Sequence, residues 1–404
     1  MLPDTNQLIQ SERGKAPFFE SGGANDRTLR LNLILAATGV FAALIAAAPV
    51  FGQADVPESL NRQSIKLGAG LVTRSVFLHD ARLGEVTDII FDPTAEAKFG
   101  VAGLQGAVFL KGDLSPASRV QFTGPGSGLL GLLGAPPRFS EIQFVHLDKK
   151  RGWGYLDRGG HGWQNAALLG PDGRTLWTYG ENPDAVDDMA AGDLDGDGVV
   201  DFVVGFNGGS GIRRLDVAGK KRWQQPDGNV WHVEIVDANG DGKPEIVHTN
   251  ARGEITIRDP DGKVLRKFKT GIYCSQFSLC HWPSPQSAPK LATERNGTLA
   301  LLDLLGGIAA RYPIPAPKSP DGVRAAAVRL KKGEPPYLAA LMIGRDWRGE
   351  ASILYLFNAR REAVYREDLA GRCAALKLLP AAEPGLDEFL VGGPNVVWKY
   401  KPGK

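Results

Sequence analysis

Cysteine is scarce in this 404-residue chain, which has only Cys274, Cys280 and Cys373. So sparse and odd a set builds no disulfide framework, although one bridge stays open in an oxidising compartment. No Cys-x-x-Cys and no paired Cys/His spacing occurs, which sets zinc aside. A charge imbalance is also missing. Lys and Arg number 47 against 45 Asp and Glu, so no basic excess points to nucleic acid and no acidic tail points to a cationic partner. Helical periodicity is rare as well: from Ser64 onward few segments keep a helical repeat beyond about ten residues. What fills the chain instead is short apolar runs broken by Gly, Asp, Asn and Pro, with 51 glycines in all. That pattern reads as all-β.

One long apolar run stands apart. Leu31 to Phe51 covers 21 residues with Asn32 and Thr38 as its polar side chains, and Arg27 and Arg30 precede it. Small residues at Gly52 and Ala54 have the spacing a signal peptidase prefers. A cleaved secretory signal ending at Ala54 is one reading. An uncleaved anchor is the other, because about 20 apolar residues span a bilayer. Both place residues 55 onward outside the cytosol by the positive-inside rule. The expected organisation is a leader over 1–54, a linker over 55–63 and one folded unit over 64–404, exported and monomeric, touching a membrane only through residues 31–51.

The folded unit repeats. "LLGPDGRTLWTY", "RLDVAGKKRW", "IRDPDGKVLRKF" and "LLDLLGGIAARY" each place a glycine in a turn and an aromatic shortly after it. Gly173, Gly219, Gly262 and Gly306 are 46, 43 and 44 residues apart. In "YLFNARREAVYRE", Arg361 stands where glycine would. Apolar strands recur before these hairpins, beginning at Val86, Ile142, Met189, Val233, Gln276, Arg324 and Cys373. Seven units, each with about four strands, predict a seven-bladed β-propeller with four-stranded antiparallel blades. The degenerate ends leave six or eight blades open. The last unit lacks an outer strand after "NVVWKYK", and Ser64–Val72 is the candidate to supply it.

Two loops inside this repeat are crowded with oxygen. Asp193, Asp195, Asp197 and Asp201 hold positions 1, 3, 5 and 9 of "DLDGDGVVD". Asp237, Asn239, Asp241 and Glu245 hold the same positions of "DANGDGKPE". Alternate spacing in a tight turn aims these side chains inward, and the carbonyls of Val199 and Lys243 add one oxygen each. So many hard ligands suit Ca²⁺, which takes six to eight. Two unit charges about 4 Å apart repel by roughly 4 kcal/mol at an effective dielectric near 20, so four carboxylates call for a cation. The other reading is a solvated turn, since Asp, Asn and Gly are ordinary turn formers. An EF-hand is excluded: position 12 is Val204 or His248, and the flanks are strand-like.

These loops resemble the FG-GAP and VCBS-type repeats, the propeller repeats also found in integrin α-chain heads. The likeness is specific over about Met189 to Phe268 and rests on periodicity elsewhere. It implies an extracellular propeller with two structural Ca²⁺ sites. The later repeats "HWPSPQSAPK", "RLKKGEPPY" and "LLPAAEPGLDE" lack the ligand series, so no metal is expected there. The hairpin "LDVAGKKRW" also looks like quinoprotein repeats, but no Cys-Cys pair exists for a pyrroloquinoline quinone dehydrogenase. Assembly scaffolds without cofactor share that hairpin.

Enzymatic chemistry has thinner support. Calcium-binding propellers with similar loops occur in rhamnogalacturonan lyases, and a lyase site needs bases and cations facing one groove. His161, His232, His248, His281, Arg213 and Arg345 are available, yet none forms a recognisable triad or carboxylate pair. His232 and His248 lie in strand-like runs and read as structural. Trp153, Trp163, Trp231, Trp282 and Trp347 have rings that stack on sugars or pack between blades. The expected function is a non-enzymatic binding or scaffold module for a protein or carbohydrate ligand. The alternatives are a polysaccharide lyase-like enzyme and a quinoprotein-like assembly scaffold.

Overall fold

Every regular element among the described residues is a β-strand, and the strands form seven four-stranded antiparallel sheets. The computed structural model describes residues 70–123, 139–159, 165–180, 184–315, 320–344 and 351–403. The expected leader and linker, together with His161, Trp163, Arg345 and Trp347, lie outside them. Blades 1 to 6 cover residues 86–121, 142–179, 186–225, 230–268, 278–313 and 322–369, each with strands in sequence order. Blade 7 combines three C-terminal strands with Val72–His79. The chain is a seven-bladed β-propeller.

Alternating apolar faces explain the stacking. A lone four-stranded sheet is marginal, because both faces need cover. Here each blade's face packs on its neighbour: Leu147, Leu156 and Leu168 of blade 2 join Met189, Phe202 and Val204 of blade 3 in one cluster. Leu354 and Tyr365 of blade 6 do the same with Phe389 and Trp398 of blade 7. Polar clamps reinforce the seams. The Asp88 carboxylate accepts the Phe144 N–H of blade 2 at 2.9 Å, and Asp188 accepts the Val233 N–H of blade 4 at 2.9 Å. The three thiols are buried and unpaired.

The recurring glycine has two reasons. It takes a positive φ, 77° at Gly219 and 85° at Gly262, which side chains resist. At Gly219, Gly262 and Gly306 it also faces the aromatic of the preceding blade. A Cβ on Gly219 would lie 3.2 Å from the Trp177 ring, and one on Gly262 would lie 3.2 Å from Trp223. The indoles complete the contact: Trp177 donates to the Val217 carbonyl at 3.1 Å and Trp223 to the Pro260 carbonyl at 2.8 Å. Arg361 adopts the glycine conformation, with φ at 67°.

The ring closes near the expected place with a different segment. Val72–His79 pairs antiparallel with Val396–Pro402 as the outer strand of blade 7. The expected strand, Ser64–Val72, shares only Val72 with it. Arg74 explains the choice. Its guanidinium reaches the fully buried Glu367 of blade 6 at 2.8 Å, and Tyr365 and Tyr400 donate to the other oxygen at 2.5 and 3.0 Å. Blade 6 begins at Gly322 rather than Arg324, blades 5 and 7 have strands beginning at Ser278 and Ala375 rather than Gln276 and Cys373, and two first strands begin earlier still, at Val186 and Val230 rather than Met189 and Val233. A bulge follows each start, at Asp187 and Trp231, and breaks the alternation.

Gly262→Ala is expected to destabilise the protein by about 1–3 kcal/mol, from backbone strain and the Trp223 contact. Arg361→Gly is expected to cost nothing or to stabilise by up to about 1 kcal/mol, because it relieves a left-handed side chain. Urea midpoints of the two variants against the parent check both signs.

Candidate metal-binding loops and the axial charge cluster

Both acidic loops join the first strand of a blade to its second, between Val186–Gly192 and Asp201–Phe206 in blade 3 and between Val230–Val236 and Glu245–Asn250 in blade 4. The paired strands fix the loop ends, and Gly196, Gly198, Gly240 and Gly242 turn the chain at positive φ. Position 1 holds each loop closed. Asp193 accepts the N–H groups of Gly196, Asp197 and Gly198 at 2.8, 3.1 and 2.9 Å. Asp237 accepts those of Gly240, Asp241 and Gly242 at 2.6, 3.2 and 2.9 Å. These bonds hold the Asp237 carboxyl below its usual range.

Positions 5, 7 and 9 also correspond. The Val199 N–H donates to Asp197 at 2.7 Å, and the Lys243 N–H donates to Asp241 at 2.8 Å. At position 9, Asp201 accepts the Leu194 N–H at 3.3 Å and Glu245 accepts the Ala238 N–H at 2.7 Å. Burial, with Asp241 and Asp237 nearby, raises the Glu245 carboxyl. Asp193, Asp195 and Asp197 each present an oxygen within 4.8 Å of the other two. Oxygens sharing one Ca²⁺ at 2.3–2.6 Å can be no more than about 5 Å apart, so these three side chains fit one ion. In blade 4 the Asn239 amide gathers the set instead, donating to Asp241 at 3.1 Å and Glu245 at 2.9 Å.

Sequence reasoning missed Arg214. It lies on the third strand of blade 3 and is buried, with one nitrogen 2.7 Å from Asp195 and 2.6 Å from Asp201. The four carboxylates of the first loop therefore already have one cation inside the protein. No local pattern announces it, because the link depends on strand register.

A second charged group surrounds the ring axis, where the first strands of the blades enter. Arg158 binds Asp188 with two nitrogens at 2.8 Å and Glu234 at 2.9 Å. Arg324 of blade 6 reaches Glu141, just ahead of blade 2, at 2.9 Å and so spans the ring. Arg372 pairs with Glu85 and, at 3.3 Å, with Asp321. His232 sits 2.7 Å from Asp188. Burial opposes its charge, but the Asp188 carboxylate outweighs burial and raises the imidazole to about 9. Asp187, partly exposed, is pushed up to about 7 by burial and by Asp188.

The other sequence candidates have local partners. His248 is buried, 3.3 Å from Asp227 and 3.2 Å from Arg258, and burial keeps it neutral at lower pH than usual. His281 meets the Ser287 carbonyl at 2.8 Å. Arg213 lies over the Phe206 ring at 4.6 Å. Trp153, Trp231 and Trp282 meet His146, Tyr273 and Tyr312 edge-on at 5.5, 6.3 and 6.2 Å.

The chain matches no family model and no curated protein. Its likeness is to solved folds. Selenomethionine-substituted virginiamycin B lyase from Staphylococcus aureus superposes with a TM-score of 0.53 at 11% identity, over 82% of this chain and 99% of that one. BBS1N in complex with ARL6DN gives 0.50 at 12% identity, over 85% and 98%. At such identities the likeness is one of fold, the β-propeller.

The axial pairs predict a pH dependence. His232 is raised above its unfolded value, so the stability from its pairing is full below about pH 6.5 and is lost as pH rises towards 9. Asp187 acts in the same direction on rising through about 7. Urea midpoints should fall between about pH 6 and pH 9.5. His232→Gln should be less stable than the parent at about pH 6 and close to it at about pH 9.5.

Proposed function

We propose that this chain is an exported, calcium-binding propeller of FG-GAP/VCBS type that serves as a non-enzymatic binding or scaffold module. The observation that carries the reading is the convergence of Asp193, Asp195 and Asp197 within 4.8 Å, on a loop clamped by a rigid blade. Asp193, Asp195, Asp197 and Asp201, with the Val199 carbonyl, would hold one ion. Asp237, Asn239, Asp241 and Glu245, with the Lys243 carbonyl, would hold a second. The ions would brace the turns between first and second strands. Export follows from the apolar run at residues 31–51. Loops gathered on a rigid ring suit a protein or carbohydrate partner, and BBS1N is a solved propeller in complex with another protein. An assembly scaffold is the same reading with a structural partner.

The test is the melting temperature of the full chain in EDTA and in about 10 mM Ca²⁺. For a dissociation constant of about 0.1 mM each site adds roughly 2.7 kcal/mol. A rise of several degrees is expected, with Mg²⁺ much less effective. Asp193→Ala and Asp237→Ala should each remove part of the rise. An EDTA-treated protein that is free of metal yet unmoved by Ca²⁺ would overturn the reading.

One observation favours a polysaccharide lyase-like enzyme as the second reading. Asp187, raised to about 7, lies beside Asp188, the carboxylate that Arg158 and His232 hold. A carboxyl near neutrality is suited to take a proton from carbon. The check is a panel of acidic polysaccharides followed by unsaturated-product absorbance. Activity lost in Asp187→Asn, with the fold intact, is the outcome this reading requires.

A further inference from the structure

The two acidic loops differ at two positions that change together. Position 3 is Asp195 in blade 3 and Asn239 in blade 4. On the neighbouring third strands, Arg214 lies opposite Val203 and Ile257 lies opposite Val247. Val203 and Val247 each stand two residues after position 9, so Arg214 and Ile257 occupy equivalent places. Blade 3 has four carboxylates with a guanidinium among them; blade 4 has three carboxylates and an isoleucine. The extra acid and the extra base accompany each other.

Arg214 is only 7% exposed. One nitrogen bridges Asp195 and Asp201 at 2.7 and 2.6 Å, positions 3 and 9 of the loop. Another donates to the Pro260 carbonyl in the hairpin of blade 4 at 3.3 Å. The buried Nε has no hydrogen-bond partner. A guanidinium with a buried donor left unsatisfied is not in its best arrangement. The same two carboxylates cannot give their full charge to Arg214 and to a divalent ion at once.

Resting on the calcium reading of the loops, we propose that Arg214 is a resident counter-ion that regulates the first loop. Arg214 and a divalent cation compete for Asp195 and Asp201. In the absence of metal Arg214 keeps the loop neutralised and tied to blade 4. In the presence of metal its hold on the two carboxylates weakens, and the Pro260 carbonyl becomes its main anchor. The second loop has no such rival and binds more tightly. The two sites therefore load at different calcium concentrations, and the weaker one is coupled to the seam between blades 3 and 4.

The experiment isolates the first loop with Asp237→Ala and titrates CaCl₂ calorimetrically, with and without Arg214→Gln. Removing a like charge roughly 4 Å from a divalent ion should tighten binding on the order of 10-fold or more, even in a water-like dielectric. Equal or weaker affinity in the double variant overturns the competition. If neither variant binds while Asp193→Ala still does, the first loop takes no calcium and the proposal falls with that part of the reading. If no variant and no parent binds, the calcium reading itself fails. Arg214→Gln leaves the buried Asp201 without its partner, so melting in EDTA should drop and recover with Ca²⁺ by more than in the parent. Should that variant not fold, Ile257→Arg in the Asp193→Ala protein reads the same competition in the second loop. A loss on the order of 10-fold is expected there, and unchanged affinity overturns the proposal.

Discussion

Ring closure is the constraint on which the rest of this molecule depends. Each blade relies on its neighbours to cover both of its faces, so an open ring leaves two faces exposed. The seam that prevents this is the pairing of Val72–His79 with Val396–Pro402. Arg74, Glu367, Tyr365 and Tyr400 reinforce it from three different strands. A buried ion pair adds little net stability against an apolar alternative, but it is costly to break from one side. Its value here is one of choice: the Val72–His79 strand brings a guanidinium to the buried Glu367.

The acidic loops depend on that rigidity. Asp193 and Asp237 each collect three backbone N–H groups, so the turns keep their shape through the chain's own hydrogen bonds. What remains is a set of oxygens arranged in advance. Preorganisation of this kind lowers the cost of ordering a ligand. The axial cluster has the opposite character. Its carboxylates are tied to Arg158, Arg324 and Arg372, and the Arg324–Glu141 pair crosses the ring.

How much of this was legible in the sequence depends on the distance between cause and effect. The hairpins were readable because a turn glycine and its aromatic lie in one short segment. Even there, only the fold showed that the glycine of one blade faces the aromatic of the blade before. Arg361 could be placed in the glycine position from alignment of the repeats, and it adopts the glycine conformation. The closing strand was misplaced because "SIKLGAGLV" looks more apolar than "VTRSVFLH", while the partner that selects Arg74 lies about 290 residues away in blade 6. Two strand starts were set late because bulges at Asp187 and Trp231 interrupt the alternation. Arg214 was invisible for the same kind of reason: its role is a matter of register.

The three cysteines take on a different meaning once the ring is closed. Burial pushes the thiols of Cys274 and Cys280 up to about 12 and that of Cys373 higher still. Thiolate is the reactive form, so burial disfavours reaction of these thiols in the closed ring. Cys274 lies in the seam of blades 4 and 5 and Cys280 in that of blades 5 and 6, whereas Cys373 shares a core cluster with Val72 of the closing strand. Val72 and Pro402 are paired across nearly the whole described chain, and contacts so distant in sequence form slowly. Pairing of the first and last strands therefore also covers the Cys373 thiol.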